Sequence, residues 1–122
     1  MVDPQRFKQK VELLLPQDHK IEFLGENTDK IITQLSETKA EKIYNWVQES
    51  VSENVQPILI LSNKNYKEWK ARDLLTFRYP FSIENTEYRI LLVKVKNSFF
   101  IEFHLGNHKY YDKIRKDLDL KK

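Results

Sequence analysis

Apolar residues follow two rhythms along this chain, and the change between them marks where helices give way to strands. In the first half they recur every three or four positions, the period of a helix face. Phe7, Val11, Leu14 and Leu15 follow Asp3-Pro4, a cap residue and a proline suited to the first helical position, and Pro16 ends the run. Residues 20–24, KIEFL, make a short strand candidate. The spacing of Ile31, Ile32 and Leu35 predicts a helix over 27–35 with these side chains inward. Thr38 and Glu41 form a capping-box pair for the clearest helix, 38–53, whose stripe is Ala40, Ile43, Tyr44, Val47 and Val51. Trp46 falls at the edge of that stripe and is expected to be mainly buried.

In the second half the apolar runs become short, branched or alternating. Pro57 introduces 58–61, ILIL, a buried strand by length and branching. A further strand is expected at 74–79, then a hairpin of 87–96 and 98–105, then a helix opening at His108. The order α-β-α-α-β-β-β-β-α predicts a single α+β domain over 1–122 with an antiparallel sheet and its helices on one sheet face. Helices 27–35 and 38–53 are the two expected to pack there. Residues 1–18 read as an N-terminal helical extension, and the last helix is short.

A hairpin turn at Lys96-Asn97 or Asn97-Ser98 sets odd positions of the first strand against even positions of the second. Arg89, Leu91 and Val93 then share a face with Phe100, Glu102 and His104. The opposite face carries Tyr88, Ile90 and Leu92 with Phe99, Ile101, Phe103 and Leu105, and is the core face. The mixed face, which holds the arginine, is expected to be open or concave. A turn one residue longer would swap these partners.

At 122 residues with 40% hydrophobic and 32% charged positions, the chain has the composition of a globular domain able to bury a core unaided. Having no cysteine excludes disulfides, zinc–thiolate sites and thiol nucleophiles. There is no apolar run of membrane-spanning length and no signal-peptide core at the N-terminus, so a cytoplasmic location is expected. The net charge of +3 is unevenly spread: residues 1–63 carry 7 Lys/Arg against 10 Asp/Glu, and residues 64–122 carry 14 against 8. A basic second half suits a polyanionic partner. Within it, Tyr66 and Trp69 alternate with Lys64, Lys67, Lys70 and Arg72. Such a run can stack bases while its cations hold phosphates, or it can be a loop anchored by its tryptophan.

The candidate chemistry gathers at the end of the hairpin. Gly106 can release the strand into a turn, and Asn107 is a good N-cap for a helix starting at His108. The first turn of a helix offers backbone N–H groups to an anion, and Arg89 can add a bidentate contact to the same phosphate. His108 titrates near neutrality and can move a proton, with His104 expected within reach. Each residue also has a plainer role: Arg89 as a partner for Glu102, Tyr111 as a core ring in line with Ile114 and Leu118, Asp112 as a charge at the helix's positive end.

The run EYRILLVKVKNSFFIEFHLGNHKYYDKI resembles the C-terminal half of HigB-type toxins of the RelE/ParE superfamily of toxin–antitoxin systems. The shared features are a Tyr-Arg strand (Tyr88-Arg89), a short turn, an apolar strand, and Gly-x-His-x-x-Tyr-Asp from Gly106 to Asp112. FSIEN, from Phe81 to Asn85, is similar to the segment before the arginine strand. The likeness covers about a third of the chain; the helix at 4–15 and the strand at 58–61 exceed the minimal fold of that family. It implies a RelE-like sheet and a ribosome-dependent messenger-RNA endonuclease, silenced by a cognate antitoxin. The reaction would use neither metal nor cofactor: the ribose 2′-hydroxyl attacks its own 3′ phosphate and expels the 5′ oxygen. By resemblance, Arg89 holds the phosphate, and His108, Tyr111 and Asp112 complete the catalytic set. His104, Lys109 and, loosely, Lys64, Lys67, Lys70 and Arg72 would contact RNA. A gyrase inhibitor of the ParE kind, or an interaction module on the same scaffold, is the alternative.

Overall fold

A computed structural model describes residues 2–16, 19–51, 58–61, 73–95 and 100–117. Its elements run α1 (Pro4–Leu13), β1 (Lys20–Gly25), α2 (Thr28–Thr33), α3 (Glu37–Val51), β2 (Ile58–Leu61), β3 (Asp73–Ile83), β4 (Thr86–Val95), β5 (Phe100–Asn107) and α4 (His108–Asp117). The order is the one the hydrophobic rhythm predicts, and the fold is mixed α+β.

Local chemistry explains the helix ends. Pro4 occupies the first position of α1 behind Asp3, and Phe7 and Val11, one turn apart, are both fully buried. The cap of α3 differs from expectation. Ser36, not Thr38, precedes the helix, and its Oγ accepts the Lys39 backbone N–H at 3.1 Å. Leu35 and Ala40, on either side of that cap, are buried in one core, so the helix starts where its apolar neighbours can staple it. Val47 is fully buried, and Trp46 is partly buried and packed against the same core, its ring 5.3 Å from that of Tyr79.

The five strands lie in the order β1-β5-β4-β3-β2. All neighbours are antiparallel except β1, which runs parallel to β5 at one edge, so the expected all-antiparallel sheet is corrected there. β3 is also longer than 74–79, continuing through Pro80 to Ile83. Among the described residues β2 pairs with 73–76, so Pro80 lies beyond that ladder. Glu84 (φ 46°) and Asn85 (φ 71°) then close a two-residue hairpin between Ile83 and Thr86, with the left-handed pair a type I′ turn needs.

Between β4 and β5, Leu92 faces Phe103 and Leu91 faces His104. This is the odd-to-even register that the short turn predicts, and it sorts the faces as expected. Ile90, Leu92, Ile101, Phe103 and Leu105 join Phe7, Ile32, Ile43 and Val47 in the main core beneath α1–α3.

The other face departs from expectation. It is not open: Leu91, Val93, Glu102 and His104 are all buried. α4 turns back at Asn107 and lies against β5 and β4, burying Tyr111 and Ile114. The helices therefore do not share one sheet face. A tyrosine and an isoleucine three positions apart give α4 an apolar stripe of its own, and the mixed strand face is where that stripe can be covered.

Candidate functional site

The arginine strand delivers Arg89 to the face that α4 covers. Its guanidinium lies over the Tyr111 ring, 5.0 Å from the centroid, a cation–π arrangement. Arg115, one turn further along α4, approaches the same ring at 5.8 Å. From β3, Arg78 donates Nη1–H to the Tyr111 hydroxyl at 3.3 Å. Three cations from three elements thus converge on one buried ring. None of them forms an ion pair among the described residues, and the buried Nε of Arg89 has no hydrogen-bond acceptor there. Unpaired cations gathered around a low-dielectric patch make a local positive field suited to a phosphate. Beside Arg89 a cleft of about 220 Å³ opens at the hairpin end, lined by Pro80, Phe81, Ser82, Glu87 and Tyr88 as well.

Asn107 caps α4 as expected, its Oδ1 accepting the Tyr110 backbone N–H at 2.9 Å. His108 Nε2 lies 3.2 Å from Asp112 Oδ2, one helical turn on, with both side chains largely in solvent. An exposed pair of this kind adds little stability, but it orients the imidazole. Lys109 is exposed on the same turn.

His104, expected to contact RNA, is buried. It is 3% exposed, with Nε2 2.9 Å from Glu102 Oε1 and Nδ1 2.9 Å from the Tyr110 hydroxyl. The residue faces away from the main core, as the strand alternation requires, yet α4 covers it. Glu102 is engaged there and does not pair with Arg89. No hydrogen bond or ion pair links Arg89, His104 and His108 to one another. The structure brings Arg89 to Tyr111 and His108 to Asp112, as two neighbouring clusters. Lys64, Lys67, Lys70 and Arg72 lie outside the described residues.

Sequence reasoning missed Arg78, Arg115 and Tyr110. Arg115 could have been found as the i+4 neighbour of Tyr111. Arg78 had a weaker signal: strand alternation places it on the face opposite Phe77 and Tyr79, but the pairing that sets it beside Leu91 depends on the 84–85 turn. Only the fold of α4 reveals Tyr110.

Another cleft, about 700 Å³, lies between α1 and β1, around Leu13 and Leu15. It is a groove between two elements whose described lining carries Lys20 and His19 but no cluster of arginines. Among the described residues, no three His, Asp or Glu side chains are placed to hold a metal ion, and no helix is long and apolar enough to cross a membrane. No family model, curated protein or solved structure matches the chain.

Proposed function

We propose that this chain is an RNA endonuclease of the HigB/RelE kind, acting on messenger RNA at the ribosome as a toxin held in check by an antitoxin. The observation that carries the reading is the convergence of Arg78, Arg89 and Arg115 on Tyr111 without a carboxylate partner. Its second support is the likeness of 88–112 to that family, including the ordered Gly-x-His-x-x-Tyr-Asp. In this reading Arg89 binds the scissile phosphate, and its charge offsets the negative charge that grows on the phosphoryl oxygens. Tyr111 holds the guanidinium in place through its ring and anchors Arg78 through its hydroxyl. Arg78 and Arg115 take flanking phosphates. His108, oriented by Asp112, moves the proton between the 2′-hydroxyl or 5′ oxygen and solvent. Attack of the 2′ oxygen on phosphorus breaks the bond to the 5′ oxygen, giving a 2′,3′-cyclic phosphate upstream and a 5′-hydroxyl downstream. An acidic antitoxin segment over the basic second half would silence the site, and a ribosomal target places the protein in the cytoplasm.

One observation favours the other reading, a binding module on the same scaffold: Arg89 and His108 share no hydrogen bond or ion pair. The test is a purified translation system programmed with a defined message. Wild-type protein is expected to cut ribosome-bound RNA, leaving cyclic phosphate ends, and the Arg89→Ala/His108→Ala double variant to leave it whole. Uncut message with the wild-type chain, or equal cutting by the double variant, overturns the proposal and leaves binding as the function.

A further inference from the structure

Glu102 and His104 are two positions apart on β5 and share the face beneath α4. Glu102 is fully buried and His104 nearly so, flanked across the ladder by buried Val93 and Leu91. An ionic pair in such a setting is a poor stabilising device, because desolvation offsets most of its attraction. What it supplies is direction. With Glu102 Oε1 facing Nε2, the ring turns its other nitrogen, Nδ1, to the Tyr110 hydroxyl.

Tyr110 sits in the first turn of α4, its backbone N–H held by Asn107. Its ring lies directly over Gly106: a Cβ at that glycine would come within 2.6–2.7 Å of Tyr110 Cδ2, Cβ and Cγ. Gly106 is the cross-strand partner of Arg89. The hydrogen-bonded chain from Glu102 through His104 therefore ends on the turn that carries His108 and Tyr111, beside the strand position of Arg89. We infer that Glu102, His104 and Tyr110 are positioning residues, which hold the first turn of α4 at the spacing that seats Arg89 on Tyr111 and sets His108 beside the phosphate. The catalytic part of this inference rests on the proposed function. It assigns the buried histidine and glutamate a role that neither phosphate binding nor core packing gives them.

Tyr110→Phe removes the hydroxyl and keeps the ring over Gly106. RNA affinity is expected to stay within about twofold, because the three arginines are untouched, while cleavage at saturating RNA falls about tenfold or more, the sensitivity expected of a slightly misplaced catalytic group. Amide hydrogen exchange at 108–111 should quicken about tenfold, with Ile90 and Phe103 unchanged. Imidazole ¹⁵N spectra should show the Nε2–H tautomer in wild-type His104. Glu102→Gln, which keeps an oxygen for Nε2–H, should retain the rate within about threefold, whereas Glu102→Leu should behave like Tyr110→Phe. Wild-type cleavage and wild-type exchange in Tyr110→Phe overturn the inference, and so does faster exchange spread across the whole sheet. If the wild-type chain cuts no RNA, the proposed function fails, and the exchange and ¹⁵N measurements still decide whether the chain positions α4.

Discussion

Phe103 and His104 are adjacent in sequence and lie on opposite sides of the same sheet. Phe103 meets Phe7 and Phe23 in a core of rings and branched side chains. His104 meets a carboxylate and a phenol under a single helix. On the first side, contacts are non-directional, and burial of apolar area supplies the stability. On the second, burial is just as complete, but it is spent on groups that need oriented partners. Close packing of polar side chains under α4 brings little stability for the area covered. It does fix the direction of each group, as the proposed phosphate site requires.

The contrast breaks first on stability. Phe103→Ala should lower unfolding free energy by about 3–5 kcal/mol in urea titrations, through lost burial and the cavity left behind. The Glu102→Leu/His104→Leu double variant should stay within about 1 kcal/mol of wild type, or exceed it, since two desolvated groups become apolar. A loss of several kcal/mol from the double variant would erase the distinction between the faces.

On activity the order reverses. Arg89→Ala and His108→Ala should each reduce ribosome-dependent cleavage by about 10²–10⁴-fold with little change in melting temperature. Arg78→Ala and Arg115→Ala should each lower the salt dependence of RNA binding by about one unit of slope, as expected for one lost phosphate contact. Salt slopes unchanged in both variants would remove them from the interface.

Gly106→Ala sharpens the comparison from the backbone side. The new methyl group meets the Tyr110 Cβ and ring, so α4 must shift, at a cost of about 1–3 kcal/mol measured by thermal unfolding. Tyr111→Phe is milder. It removes only the acceptor for Arg78 and should stay within about 1 kcal/mol, whereas Tyr111→Ala, which deletes a buried ring, should lower the melting temperature clearly.

The smallest effect belongs to the apolar side and appears only in alkali. Burial, with Glu37 and Glu41 nearby, raises the Tyr44 pKa above its usual value of 10.0, against a smaller opposing influence from Arg6. The unfolded chain then loses this proton first. Tyr44 therefore favours the fold fully below about pH 10, and the contribution fades as pH rises through the higher folded value. Unfolding followed from pH 9 to 12 should show a shallower decline in Tyr44→Phe than in wild type.

Much of this architecture was legible in the chain itself, because it depends on period. The stripe Ala40, Ile43, Val47 read as a helix face turned inward, and the alternation through Ile90, Leu92, Phe103 and Leu105 set the core side of the hairpin, while its register depended on the length of the turn. Asn107 before His108 announced the last helix, since its side chain needs only a local N–H to cap. Other features depend on what is brought close from far away, and no local pattern encodes that. β1 running parallel to β5 joins residues about eighty positions apart. The side on which α4 lands decided that His104 is buried with Glu102 and Tyr110 rather than offered to RNA. The same landing gathered Arg78, Arg89 and Arg115 around Tyr111. Period determines which residues share a face; only packing determines which face is covered, and by what.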